Sequence, residues 1–167
     1  MKPMDETGLK LCRAQAELFV SSITQTDSSS AVFLRRFMNS SVAKRMDEGS
    51  FLFESSTKRS VIEEINKEYG KTDYGKAKYS ESELYWMGYL YRYWCYTYEK
   101  TSKQVYRIIK PPELRALFFP YHSLDNAAAI ERILEARNSR EEDLTKRGVE
   151  ILRRIISKKQ SKKQKES

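Results

Sequence analysis

Ser80-Glu81-Ser82-Glu83-Leu84-Tyr85-Trp86-Met87-Gly88-Tyr89-Leu90-Tyr91-Arg92-Tyr93-Trp94-Cys95-Tyr96-Thr97-Tyr98 is the stretch on which the fold turns. Ser80 followed three residues later by Glu83 is a capping box, in which each side chain accepts from the other's backbone N–H and opens a helix. Leu84, Met87, Gly88, Tyr91, Trp94, Cys95 and Tyr98 then fall on one stripe at helical spacing. Tyr85, Tyr89, Tyr93 and Tyr96 make a second stripe rotated from the first. A helix apolar on more than one face is buried among neighbours, so this segment predicts the centre of an all-α domain. Its phenol hydroxyls still need partners, which favours a polar-rimmed groove along one side.

The flanking sequence is helical in period almost throughout. Cys12, Ala16, Phe19, Val20 and Ile23 share one face. Residues 24–30, rich in Ser and Thr, interrupt it, because short hydroxyl side chains compete for backbone hydrogen bonds. Leu34, Phe37, Met38, Val42 and Met46 give a second face, which Asn39-Ser40-Ser41 bends or splits and Gly49 ends. Phe51-Leu52-Phe53 reads as a strand or a buried loop. Thr57 or Ser60 caps a helix carrying Ile62, Ile65 and Tyr69, closed by Gly70. Gly70-Lys71-Thr72 lacks the upstream glycine and preceding strand of a phosphate-binding loop. Residues 101–109 form a short helix, and Pro112 starts another that Pro120 ends. Asp125 caps a helix with Ala127, Ile130 and Leu134 inward. A final helix carries Leu144, Gly148, Ile151, Leu152 and Ile155 on one face.

Charge sorts the chain into two parts. The 167 residues hold 31 basic and 23 acidic side chains, a net charge of +8. From Lys146 onward there are nine basic residues against Glu150 and Glu166, so the body is close to neutral and the end is basic. The expected division is therefore a single compact helical domain over 1–156 and a disordered lysine-rich tail over 157–167. No apolar run is long enough for a signal peptide or a membrane span, so no membrane partner is expected.

Little in the sequence supports catalysis. One His, two distant Cys and no CxxC exclude a Cys/His zinc site and a disulfide scaffold, and no cofactor motif is present. His122, between Tyr121 and Ser123, reads as a loop imidazole bonded to a carboxylate or a carbonyl. The pairs Glu63-Glu64 and Glu141-Glu142 diverge on a helix and form no metal site. Cys12 and Cys95 read as buried, reduced thiols. The segment 101–109 has the look of the second helix of a helix-turn-helix, with Lys103, Gln104 and Arg107 placed to contact nucleic acid.

Four phrases carry a resemblance: the run from Phe33 to Met46, Phe33-Leu34-Arg35-Arg36-Phe37-Met38-Asn39-Ser40-Ser41-Val42-Ala43-Lys44-Arg45-Met46, the aromatic run from Glu83 to Glu99, Phe119-Pro120-Tyr121-His122-Ser123-Leu124-Asp125, and Ala129-Ile130-Glu131-Arg132-Ile133. With them, residues from about 31 to 136 resemble a family of small bacterial proteins, the antitoxin half of toxin–antitoxin gene pairs. The resemblance implies a cytoplasmic protein, not an enzyme, that binds and neutralises a cognate toxin, and it supplies no catalytic residues. The segment beyond Arg137 lies outside the pattern. An occluding binder uses aromatic and Arg anchors, which points to Tyr85, Tyr89, Arg92, Tyr93 and Tyr96 as the partner-binding surface. The alternative is a helical regulator that binds operator DNA through Lys103, Gln104 and Arg107; some antitoxins do both.

Overall fold

The computed structural model describes residues 1–165, and among these every regular element is helical. The chain divides into two units, residues 1–127 and the residues from 128 on. The first holds α1 (Glu6–Gln25), α2 (Ser30–Met38), α3 (Ser41–Asp47), a 3-10 turn (Ser50–Phe53), α4 (Lys58–Tyr69), α5 (Glu81–Thr97), α6 (Ser102–Ile108), α7 (Pro111–Ala116) and α8 (Phe118–Tyr121). The last helix, α9 (Asn126–Lys165), starts at its end and makes up the second.

Side-chain caps fix where the helices begin. Asp5, Ser29, Ser40, Thr57, Ser80 and Thr101 each accept a hydrogen bond from the first turn of α1 to α6 respectively. Such caps contribute ~1 kcal/mol apiece. Ser40 explains why the apolar face from Leu34 to Met46 is two helices: its hydroxyl caps α3 while α2 stops at Met38.

α5 packs along α1 at the centre of the first unit, and Gly88 is what lets them meet. A Cβ at Gly88 would lie 2.8 Å from Ala16 Cα and 3.0 Å from the Gln15 carbonyl oxygen, so the two backbones touch there. Gln15 Nε2 donates to the Gly88 carbonyl across the same crossing, at 3.0 Å. Leu84, Met87, Leu90, Tyr91 and Trp94 of α5 are buried with Leu11, Ala16 and Phe19 of α1 and Phe37 of α2. Phe19 meets both Phe33 and Phe37 edge-on.

Arg92 corrects an expectation. It is 1% exposed and sits inside the first unit. Its Nε donates to Gln15 Oε1 at 2.8 Å, one terminal nitrogen to Asp47 Oδ1 at 2.6 Å, and the other to Ser102 Oγ at 2.9 Å. Asp47 also accepts from the backbone N–H and the hydroxyl of Ser102. One guanidinium thus ties α1, α3, α5 and α6 together. A buried cation persists only when its donors are paired this completely, so Arg92 is a core residue and offers nothing to a partner at the surface.

Other expectations shift at element ends. Phe51-Leu52-Phe53 is neither strand nor buried loop: it forms the 3-10 turn and leaves Phe53 92% exposed. Pro120 does not end a helix, because the break falls at Leu117 and Pro120 sits within the first turn of α8, where its missing N–H costs nothing. The two helices expected after Asp125 are one, of 40 residues, with Ile130 buried as expected, Ala129 and Ile133 buried beside it, and Ala127 and Leu134 half-buried. Residues 157–165 of the expected disordered tail continue this helix, and 166–167 lie outside the described residues. Between 126 and 165 the chain has no Pro, one Gly and many Ala, Leu, Glu, Arg and Lys, all strong helix formers. Lysines in its last turn favour the negative end of the helix dipole.

Candidate functional site

The N-terminal half of α5 presents the aromatic cluster, and its start is tightly held. Ser80 Oγ accepts from the Glu83 N–H at 3.2 Å while Glu83 accepts from the Ser80 N–H at 3.1 Å. The second Glu83 oxygen takes a hydrogen bond from Arg115 Nε at 2.8 Å, fastening α7 to α5. The Arg115 guanidinium in turn lies 4.4 Å from the centre of the Tyr79 ring. With α7 anchored, α8 brings Phe118 edge-on to Trp86, ring centres 5.8 Å apart. His122 stacks on Phe118 at 4.5 Å. Tyr85 and Tyr89, one turn apart on α5, stack on each other at 6.3 Å.

Together these rings line a groove of about 610 Å³, with Ser82 and Asn126 at its polar edge. Tyr85 is 40% exposed and Tyr89 half-buried. Partial burial raises the Tyr89 phenol, with Cys12 and Tyr85 adding to the effect, so its hydroxyl stays a protonated donor at neutral pH. His122 Nδ1 lies 2.8 Å from the Phe118 carbonyl and 3.1 Å from that of Phe119. Both partners only accept, which assigns a proton to Nδ1. Of the two partners expected of His122, a carboxylate or a carbonyl, the structure has carbonyls. The groove therefore offers flat apolar faces, phenol donors and one imidazole ring, the equipment of recognition.

The remaining members of the tyrosine stripe do not join the groove. Tyr93 is half-buried beside Asp125, with its phenol raised mainly by burial. Tyr96 donates to Asp5 Oδ1 at 2.6 Å, and Lys2 Nζ lies 4.0 Å over its ring, so it pins the N-terminal segment. That hydrogen bond is the main reason the Asp5 carboxyl is held below its ordinary value. Trp86, Phe118 and His122 were absent from the expected surface. Trp86 falls between the two stripes read from the sequence, and Phe118 reaches the site only through the α7–α8 turn.

The nucleic-acid residues stand apart. Lys103, Gln104 and Arg107 are exposed on α6, a helix of seven residues. Gln104 Oε1 accepts from the Thr101 N–H at 2.9 Å in a capping box, so its amide oxygen serves the start of α6. A second hollow, of about 530 Å³, is lined by Lys2, Lys44 and Lys100 but also by Asp47, Glu48 and Glu99. Its charges balance, so it makes no anion site.

Cys12 and Cys95 are buried free thiols. Burial pushes Cys12 up to about 12 and Cys95 up to about 11, and the nearby Arg92 only partly offsets this. Neither is a nucleophile at neutral pH. Among the described residues no group of His, Cys, Asp and Glu is arranged to hold a metal, and no helix is long and apolar enough to cross a membrane. Comparison of the chain with family profiles, curated proteins and solved structures returned no match in any of the three.

Proposed function

We propose that this protein is a helical binding protein, without catalytic activity of its own, that holds a protein partner through the groove between α5 and α8. The observation that carries the reading is the stacked, partly exposed Tyr85–Tyr89 pair on the capped helix α5, lining one groove with Trp86, Phe118 and His122. Rings already stacked lose little conformational freedom on binding, and phenols add directional hydrogen bonds to large contact area. Phe119, 85% exposed on α8, extends the apolar surface. In its finer form the proposal follows the sequence resemblance: the partner is a cognate toxin, the gene lies beside that of the toxin, and neutralisation works by occlusion in the cytoplasm.

The test is co-expression with the product of the adjacent gene. The expected result is a stable complex and relief of that product's growth arrest. Tyr85→Ala and Tyr89→Ala should weaken both while the circular dichroism spectrum stays that of the parent. His122→Ala should weaken the complex and neutralisation in the same proportion, since the imidazole is a wall of the groove and no proton transfer is involved. Loss of neutralisation on His122→Ala with both folding and partner affinity preserved would refute the non-catalytic reading. Salt-sensitive binding to operator DNA without any protein complex would move the function to α6.

A further inference from the structure

We propose that the exposed face of α9 is a self-association surface that pairs antiparallel with the same face of a second copy of the chain. Leu144, Ile151, Leu152, Ile155 and Ile156 are between 48% and 60% exposed, although they share one arc of a helix. Through that arc runs a seam with alternating steps of three and four residues: Glu141, Leu144, Gly148, Ile151, Ile155 and Lys158. This is the spacing of a helix-pairing seam. The ends of the seam carry opposite charge, and that fixes the direction. A parallel pair would set Glu141 against Glu141 and Lys158 against Lys158. An antiparallel pair centred between Val149 and Glu150 sets Leu144 against Ile155 of the second copy and Glu141 against its Lys158. The apolar layers are then closed at both ends by ion pairs.

Gly148 supplies an independent observation. The chain has three glycines inside helices, and two of them exist to admit a neighbour. A Cβ at Gly8 would come within 2.4 Å of Met4 Sδ, and one at Gly88 within 2.8 Å of Ala16 Cα. Gly148 lies in the middle of the exposed seam with nothing within 4 Å. In the antiparallel pair this notch receives Ile151 of the second copy, a knob entering a hole. Leu152 packs beside Thr145 of the second copy on one flank. Arg147 approaches Arg154 on the other, but each arginine has an acid four residues before it, Asp143 and Glu150, to moderate the repulsion. The lysines from 159 to 165 run past residues 134–140 of the second copy and not past another lysine run.

The seam from 141 to 158 is ~27 Å long at the rise of an α-helix. Such a strip falls well short of the ~800 Å² per partner of a standard interface, so the dimer should be weak and reversible. The groove plays no part in it, and Tyr85→Ala should leave it unchanged.

The experiment is sedimentation equilibrium of the full chain from micromolar to several hundred micromolar at physiological ionic strength. The expected result is a concentration-dependent monomer–dimer equilibrium. Ile151→Asp should abolish it with the helical circular dichroism retained, because the residue is exposed in the monomer. Glu141→Lys should weaken it by about tenfold, and adding Lys158→Glu should restore it, since opposite charges again face each other. A monomer at every concentration overturns the proposal, and binding of that monomer to phosphatidylglycerol vesicles would assign the face to a lipid surface. A dimer that survives Ile151→Asp, or that the double charge reversal fails to restore, overturns it as well.

Discussion

Replacing Asp47 by Ala removes from Arg92 the carboxylate with which it makes a direct ion pair, at 2.6 Å. It also takes an acceptor from the Ser102 N–H at 2.9 Å and from the Ser102 hydroxyl at 2.7 Å. Arg92 cannot retreat to solvent, since its side chain is 1% exposed against 11% for Asp47. Breaking a buried pair from one side costs ~3–5 kcal/mol, because the remaining charge stays desolvated. Asp47 also borders an open hollow, through which water can reach part of the vacated site, and this argues for the lower end of that range. At ~2–4 °C per kcal/mol for a chain of this size, the melting temperature should fall by roughly 10 °C. Chemical denaturation followed by circular dichroism gives the free energy directly. The Glu6–Lys10 pair on α1 is the control, with side chains 83% and 59% exposed. Glu6→Gln should change stability by less than ~0.5 kcal/mol. Adding Arg92→Met to Asp47→Ala should recover part of the loss, because the orphaned cation is then gone. A cost for Asp47→Ala no larger than that of Glu6→Gln would show that the four helices are held by apolar packing alone.

Trp94→Ala should cost ~3–5 kcal/mol, as the indole is 1% exposed in the centre of the first unit; a thermal melt within a degree of the parent would contradict its burial. Cys12 and Cys95 should resist labelling by a disulfide reagent at pH 8 in the native protein and react fully in denaturant. Unfolded thiols ionise near 9.0, while the buried ones hold their protons until about 12 and about 11. Stability should therefore be intact below pH 9 and decline as pH rises through that window, and Cys→Ala variants should flatten the decline. Truncation after Lys158 should leave the melting temperature unchanged, since every residue from 159 to 165 is exposed.

The helices were legible where local chemistry decides them. Ser80 and Glu83, Thr57 and Ser60, and the Ser40 break all announce themselves within four residues of sequence, and each is found as a cap. The aromatic stripe was legible as burial, because period alone places Leu84, Met87, Tyr91 and Trp94 on one side of a helix. What period cannot report is the identity of the neighbour. Arg92 lies one residue after Tyr91 and looks, in one dimension, like a charged group among phenols at a surface. Only the meeting of Gln15, Asp47 and Ser102 from three other helices makes a buried site for it. The groove has the same character. Tyr85 and Tyr89 could be named from the second stripe, but its far wall, Phe118 and His122, depends on the Arg115–Glu83 contact that draws α7 and α8 to α5. The last helix fails for the opposite reason. Its lysine-rich end was read by charge and low apolar content as disordered, yet helix propensity and the absence of any breaker carry the helix through Lys165. The apolar arc upstream belongs to the same continuous helix. Six large apolar side chains from Leu144 to Ile156 are exposed, and a helix keeps such a stripe in water only at a cost. A partner that covers it removes that cost.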